Sequence, residues 1–231
     1  MSLRACAIIP AYNAAKSLAP LLERMRPLGL DVVVINDGST DDTAAVAARA
    51  GTLVITHLRN RGKGAALRTG FAYALQSGYE AVVTLDSDGQ HDPSEIPKLL
   101  EAAAKPDGAM VVGRRVFDAP MMPFARRSTN RFMSWLISKM AGAPMPDSQC
   151  GFRVIRRDAL ATLRLSSRRF DIETEMLLAA ARGKWPIRFV PIRTIYEDHA
   201  SHIRPIVDGL RFFRLVLWYA LGLHQLSGHD L

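Results

Sequence analysis

The amino-terminal half of the chain repeats one alternation, and that alternation narrows its fold more than any other feature. Short apolar runs at residues 3–9, 31–35, 52–56, 80–85 and 109–113 have the length and composition of strands. Between them lie segments with helical spacing, at residues 14–25, 41–50, 62–76 and 93–103. Leu67, Phe71, Ala74 and Leu75 share one face of the third. Ser39-Thr40 reads as a cap for the second, and Pro93 opens the fourth, where a missing N–H costs nothing. Strands that alternate with helices build parallel sheets, because a crossover must return the chain to the same end. The expected class is α/β, with a mostly parallel central sheet and helices on both faces. The second half is less regular. It reads as a loop at 114–123, a helix at 124–140, a loop at 142–150, two helices with two short strands, and a last helix from about 205 to 226.

The run 80–85 ends in two carboxylates one residue apart, Asp86 and Asp88, within LDSDGQHD. Strand ends of open α/β sheets are where such folds bind ligands. Two hard oxygen donors there suit Mg²⁺ or Mn²⁺ carrying a diphosphate. Gly89 permits a sharp turn, and Gln90, His91 and Asp92 add polar groups. Surface turns also make many Asp-x-Asp pairs, so the weight comes from the motifs around this one.

Those motifs follow the other strands. Ile9-Pro10-Ala11-Tyr12-Asn13 offers backbone N–H groups and an aromatic face to a nucleotide, or is an ordinary strand-to-helix turn. Asn36-Asp37-Gly38-Ser39-Thr40-Asp41-Asp42 supplies Asp37 as an acceptor for a base N–H, while Asp41 and Asp42 meet the positive end of the next helix. Arg59-Asn60-Arg61-Gly62-Lys63-Gly64 opens a helix whose N-terminus attracts anions, though its spacing is not that of a Walker loop. Arg114 and Arg115 follow the fifth strand, and Arg127 and Arg131 share a helix face at i, i+4. Arginine suits bidentate capture of phosphate, and equally makes solvated surface. Asp147, Gln149 and Arg153 sit in or after a proline-bounded loop, and Glu173 and Glu175 begin a later helix. In YEDHASHIRP, His199 and His202 lack a third spaced ligand for zinc, so Arg204 or His202 on a diphosphate is the better reading.

Composition removes several classes. The chain carries 30 Lys and Arg against 22 Asp and Glu, a formal +8, which points to anionic lipid, phosphorylated substrates or nucleic acid. No nucleic-acid motif accompanies the charge, so nucleic acid is not an expected partner. Two cysteines, Cys6 and Cys150, make no disulfide framework and fit a reducing compartment. No apolar run suggests a signal peptide or reaches the roughly 18 residues of a spanning helix. The longest, residues 215–223, is about half that.

Taken in order over residues 4–212, IPAYN, NDGSTDD, NRGKGAA, LDSDGQHDP, VGRR, DSQCGFR and SHIRP resemble the family 2 glycosyltransferases. Within them the set is similar to the polyprenyl-phosphate (dolichyl-phosphate) mannosyl- and glucosyltransferases. The resemblance implies the GT-A nucleotide-diphospho-sugar transferase fold. It makes residues 1–204 the catalytic domain and 205–231 an amphipathic helix of the same domain. It implies a nucleotide-diphosphate sugar as donor, Mg²⁺ or Mn²⁺ as cofactor, and inversion at the anomeric carbon. Pro10, Ala11, Tyr12, Asn13 and Asp37 would hold the nucleotide, with Lys63 and Gln149 also on the donor. Asp86 and Asp88 would hold the metal and diphosphate. Asp88, Gln90, Asp147 and Arg114 would serve the transfer, and Arg114, Arg127, Arg131 and Arg204 the acceptor phosphate.

The membrane-spanning C-terminal helices of many relatives are absent, so the expected placement is cytoplasmic and peripheral at the membrane. The last helix, with Phe212, Phe213, Leu215, Val216, Leu217 and Trp218 beside Arg211 and Arg214, suits an interface, the core or a second subunit in a homodimer. A phosphate acceptor is already ionised and needs positive groups to hold it. A hydroxyl acceptor (sugar, lipid or small metabolite) needs a base, for which Asp147 is the first candidate. A non-catalytic binding protein on the same fold would not need the acidic pair or Lys63. A nucleotidyltransferase would need a Gly-rich, Arg-Lys loop near the N-terminus that this chain lacks.

Overall fold

The computed structural model describes residues 3–115, 124–193, 195 and 205–221, without the side chains of 124–128, 205–208, 210 and 211. Strands β1 (Ala5–Ala11), β2 (Asp31–Asn36), β3 (Leu53–Thr56), β4 (Ala81–Thr84), β5 (Met110–Arg115), β6 (Arg153–Arg156) and β7 (Ile187–Ile192) form one sheet. Against it pack α1 (Ala15–Met25), α2 (Thr43–Arg49), α3 (Lys63–Gln76), α4 (Ile96–Ala103), α5 (Phe124–Ala141), α6 (Arg157–Leu160), α7 (Ile172–Arg182) and α8 (Pro205–Ala220).

The strand order is β3-β2-β1-β4-β6-β5-β7. β1 runs parallel to β2, with Ile8 beside Val33, and parallel to β4, with Ile8 beside Thr84. β6 is antiparallel to both β4 and β5, and β7 is parallel to β5. The sheet is thus mostly parallel, as the alternation implies, with one reversed strand in its second half. That reversal brings the segment before β6 to the edge where β4 ends, because Arg153 pairs with Thr84. Every residue of β1 is buried, as expected of a strand flanked on both sides and covered by helices.

Several boundaries differ from the sequence reading. β1 continues through Pro10 and Ala11, which belong to the strand and not to the turn after it. Leu85 N–H donates to the Ile8 carbonyl, so Pro10, two residues on, faces the side where β4 has ended and loses no ladder bond. α2 starts at Thr43, because the Asp41 carboxylate accepts the Thr43 N–H and holds the preceding turn open. β5 continues through Arg114 and Arg115, which pair with Pro191 and Ile192 of β7. A 3₁₀ turn at Pro93–Glu95 precedes α4. α8 packs Phe212, Leu215 and Tyr219 into the core, while Phe213 and Leu217 stay exposed.

Cys6 and Cys150 are buried and unpaired, and burial pushes both thiols up to about 12. Among the described residues, no helix is long and apolar enough to cross a membrane.

Candidate functional site

The strand order reverses between β1 and β4, and the ends of parallel strands on either side of such a reversal splay apart into a crevice. Asp86 and Asp88 stand at this edge, just after β4. The segment leading into β6 closes over them. Thr84 Oγ1 donates to the Gly151 carbonyl at 2.7 Å. A Cβ on Gly151 would come within 2.6 Å of Asp86 Oδ2, so only glycine lets the backbone lie against that carboxylate.

Lys63, the first residue of α3, places its ammonium 2.5 Å from Asp86 Oδ1 and 2.5 Å from Glu173 Oε1. His91 Nε2 lies 3.7 Å from Asp86 Oδ2. Burial works against the Asp86 charge, but Lys63 and His91 outweigh it and hold the carboxyl well below the ordinary range. Burial likewise disfavours the Lys63 ammonium, and Asp86 and Glu173 together raise it above the ordinary lysine value. Asp88 goes the other way: burial, then the like charge of Asp86, raise it, although Gln90 N–H donates to its Oδ1 at 3.0 Å. Lys63 therefore pairs with the carboxylate expected to hold metal. Glu173, which the sequence placed at the start of a later helix, is its second partner.

Asp37 is 3% exposed and is committed to its own chain. Its carboxylate meets His57 Nδ1 at 2.7 Å and accepts the N–H groups of Arg61 at 2.9 Å and Gly62 at 2.7 Å. A carboxylate has about four acceptor sites, so little capacity is left for a base N–H. Its first role here is to fold the loop that delivers Lys63. The anion site expected at the start of α3 is likewise filled from within, since the Arg168 carbonyl accepts the N–H groups of Gly64 at 3.0 Å and Ala65 at 3.4 Å. Gly62 has φ +95°, and a Cβ there would sit 2.2 Å from the Arg168 carbonyl oxygen. Gly62→Ala should accordingly cost about 1–3 kcal/mol of stability, from backbone strain alone, and lower turnover through Lys63. Urea unfolding beside an activity assay checks it; an unshifted midpoint would contradict the close packing described here.

Asn13 is at φ 49°, and its side-chain oxygen accepts the Thr40 N–H at 2.8 Å. Asn13 N–H donates to Ser39 Oγ at 3.0 Å, and the Ala11 carbonyl accepts the Asp37 N–H at 2.8 Å. These bonds clip the loops after β1 and β2 together. Pro10 and Ala11 are buried beneath them, and Tyr12 is 41% exposed, with its ring available as a surface.

Asp147 is 1% exposed and bound in two places to Arg115, Nε to Oδ2 at 2.8 Å and Nη2 to Oδ1 at 2.9 Å. It also accepts the N–H groups of Arg115 at 3.2 Å and Gln149 at 3.3 Å. Gln149 Nε2 donates to Thr174 Oγ1 at 3.2 Å and to Ser148 Oγ at 3.0 Å. Arg153 is wholly buried and donates to the carbonyls of Cys150, Ser148 and Glu173. It ties this loop to the residue that holds Lys63. α5 docks on the same loop, since Ser148 N–H donates to Ser134 Oγ at 3.1 Å. Arg131, one helical turn earlier, is exposed, as is Arg114 at the end of β5. The side chain of Arg127 and all of Arg204 lie outside the described residues.

The structure thus gathers Asp37, Lys63, Asp86, Asp88, Asp147 and Gln149 around one edge and adds His57, His91, Arg115, Arg153 and Glu173. Among the described residues, no three His, Cys, Asp or Glu side chains enclose a metal on their own. A divalent ion that keeps waters and substrate phosphates needs only one or two carboxylates, however. The crowding of Asp88 by Asp86 is a charge excess that such an ion would relieve, so the donor set fits Mg²⁺ or Mn²⁺.

Residues 6–164 match the sequence model described as Glycosyl transferase family 2. The undecaprenyl-phosphate mannosyltransferase of Micrococcus luteus is 34% identical over 211 residues, covering 85% of this chain and 85% of that protein. The UDP-N-acetylglucosamine–dolichyl-phosphate N-acetylglucosaminyltransferase of Methanococcus voltae is 28% identical over 239 residues, covering 93% and 95%. Among solved structures, glucosyl-3-phosphoglycerate synthase of Mycobacterium tuberculosis, in complex with Mn²⁺, UDP-glucose and phosphoglyceric acid, superposes with a TM-score of 0.74. It covers 96% of this chain and 80% of that one at 20% identity, a likeness of fold, and that fold is GT-A. The ordered motifs, the sheet and the sequence match agree, and the chain belongs to glycosyl transferase family 2.

Proposed function

We propose that the protein transfers a hexose from a nucleotide-diphosphate sugar to a polyprenyl phosphate at a membrane surface, with inversion. The observation that carries the choice of acceptor is the engagement of Asp147. Its carboxylate is buried against Arg115 and already accepts four hydrogen bonds, which ill suits it as the general base a hydroxyl acceptor needs. A phosphate monoester, with a second pKa of about 6, attacks without one. The names of the Micrococcus and Methanococcus relatives support the same acceptor class. They also support a mannosyl or N-acetylglucosaminyl donor.

In this reading Asp86 and Asp88 hold Mg²⁺ or Mn²⁺, which when bound neutralises the diphosphate and favours its departure. Lys63 and Glu173 fix Asp86 in place, and Asp37 fixes the loop that carries Lys63. Tyr12 and the backbone near Pro10 and Ala11 face the nucleotide. Gln90 lies beside the diphosphate, and Gln149 stands near the sugar. Arg114, Arg127, Arg131 and Arg204 receive the acceptor phosphate, whose planar oxygen pairs guanidinium groups match.

The test is transfer with Mn²⁺ from GDP-mannose, UDP-glucose and UDP-N-acetylglucosamine, with and without a short polyprenyl phosphate. Product only when the lipid phosphate is present is the expected result. Transfer to sugars or small hydroxyl compounds without it would overturn the acceptor assignment and return Asp147 to consideration as a base.

A further inference from the structure

Behind the Lys63 loop, between residues 166–171 and α8, lies a cavity of about 490 Å³. Arg168, Arg169 and Arg214 line it, with Ser166, Trp218 and one acid, Asp171. Asp171 accepts the Arg169 backbone N–H at 3.2 Å, and Arg169 Nη1 donates to Asn60 Oδ1 at 3.3 Å. Arg168 and Arg214 are exposed, and among the described residues neither has an ion pair or a side-chain hydrogen bond. None of Asp86, Asp88, Asp147, Arg114 or Arg131 lines this cavity.

The helix that supplies Arg214 and Trp218 also carries an exposed apolar face. Phe213 is 52% exposed, Leu217 58% and Leu221 62%. Leu217 and Leu221 follow Arg214 at i+3 and i+7, on the same side of the helix. The Phe213 ring lies 6.4 Å from Phe132, which stacks on Trp135 at 6.0 Å, and both of these rings are about half exposed. Aromatic and aliphatic side chains with arginines set among them are the arrangement that seats a helix between headgroups and acyl chains.

We infer that this cavity takes the phosphate of an anionic membrane-lipid headgroup, with Phe132, Trp135, Phe213 and Leu217 resting at the acyl boundary. The choice of a lipid as ligand rests on the membrane-surface reading above. The site itself is additional to the acceptor's. Three arginines against one acid set the sign of the ligand, and the adjoining apolar face selects a lipid over a soluble phosphate.

The experiment is co-sedimentation with phosphatidylcholine vesicles, with and without phosphatidylglycerol, at fixed ionic strength. Arg168→Gln/Arg214→Gln is compared with Arg26→Gln/Arg49→Gln, which removes the same charge elsewhere on the surface. With about 1 kcal/mol per basic residue at an anionic surface, the cavity pair should lose at least about tenfold in affinity for the phosphatidylglycerol vesicles. The control pair should change less than about twofold, and both should melt like the parent protein. Equal losses in the two pairs would reduce the effect to overall positive charge and overturn the inference. Binding of free glycerophosphate that the cavity pair abolishes, with vesicle binding unchanged, would overturn the lipid as occupant. No donor or transfer step enters this measurement, so its failure is distinct from failure of the proposed reaction.

Discussion

Asp88→Asn is expected to reduce sugar transfer at least about 10³-fold, ~4 kcal/mol in activation free energy, while the protein melts at the same temperature or a few degrees higher. The two effects have one origin. Burial and the neighbouring Asp86 charge raise the Asp88 carboxyl above its ordinary value. A carboxyl raised in the folded state opposes folding once pH exceeds that raised value, and contributes nothing below its unfolded value. Asparagine removes the charge and can still accept the Gln90 N–H that now reaches Asp88 Oδ1. The variant should therefore gain on the parent protein at neutral pH without metal, and the gain should vanish as pH falls below the ordinary carboxylate range. Added Mn²⁺ should stabilise the parent protein and leave the variant nearly unmoved. Activity within tenfold of the parent, with metal present, would remove Asp88 from the metal and diphosphate role.

The parts of this site that the sequence revealed are those set by local rules. Asp86 and Asp88 follow an apolar run, and a strand end is a local inference from hydrophobicity. The same inference placed Asp37 and Lys63 at neighbouring strand ends, because parallel strands share one edge. Their partners are another matter. Glu173 lies 110 residues after Lys63, and an acid in the first turn of a helix is ordinary helix chemistry until its burial is seen. His57 gave no signal and Arg115 read only as a phosphate-binding or surface arginine, since pairing with Asp37 and Asp147 depends on loop paths that no periodicity records. The strand ends misled as well. Gly113 read as a stop, yet β5 runs on to Arg115 because β7 pairs with it that far, and Arg115 rather than Arg114 meets Asp147. The reversed β6 was equally hidden. A four-residue strand has no direction in its composition, and only the pairing of Arg153 with Thr84 brings the Asp147 loop to the site.

Lys63→Met tests whether that long-range partnership holds the site together. Methionine keeps most of the stem's volume and removes the ammonium. Asp86 and Glu173 would then share an interior with no cation between them, and apart from the Lys63 ammonium neither Glu173 side-chain oxygen has a hydrogen-bond partner among the described residues. Breaking a buried pair by removing one partner costs roughly 3–5 kcal/mol, which for a chain of this size lowers the melting temperature by roughly 6–20 °C. Glu173→Gln alone should cost less, because Lys63 keeps its contact with Asp86 at 2.5 Å. Adding Glu173→Gln to Lys63→Met should recover about 1–2 kcal/mol, since it removes the charge left stranded. Millimolar Mn²⁺ should recover part of the loss in Lys63→Met as well, by neutralising Asp86 from the other side. The measurement is a double-mutant cycle on urea unfolding, with and without Mn²⁺. Single costs that add to within about 0.5 kcal/mol would mean that Lys63 and Glu173 act independently. The link from α7 through Lys63 to Asp86, the proposed metal carboxylate, would then carry no energy.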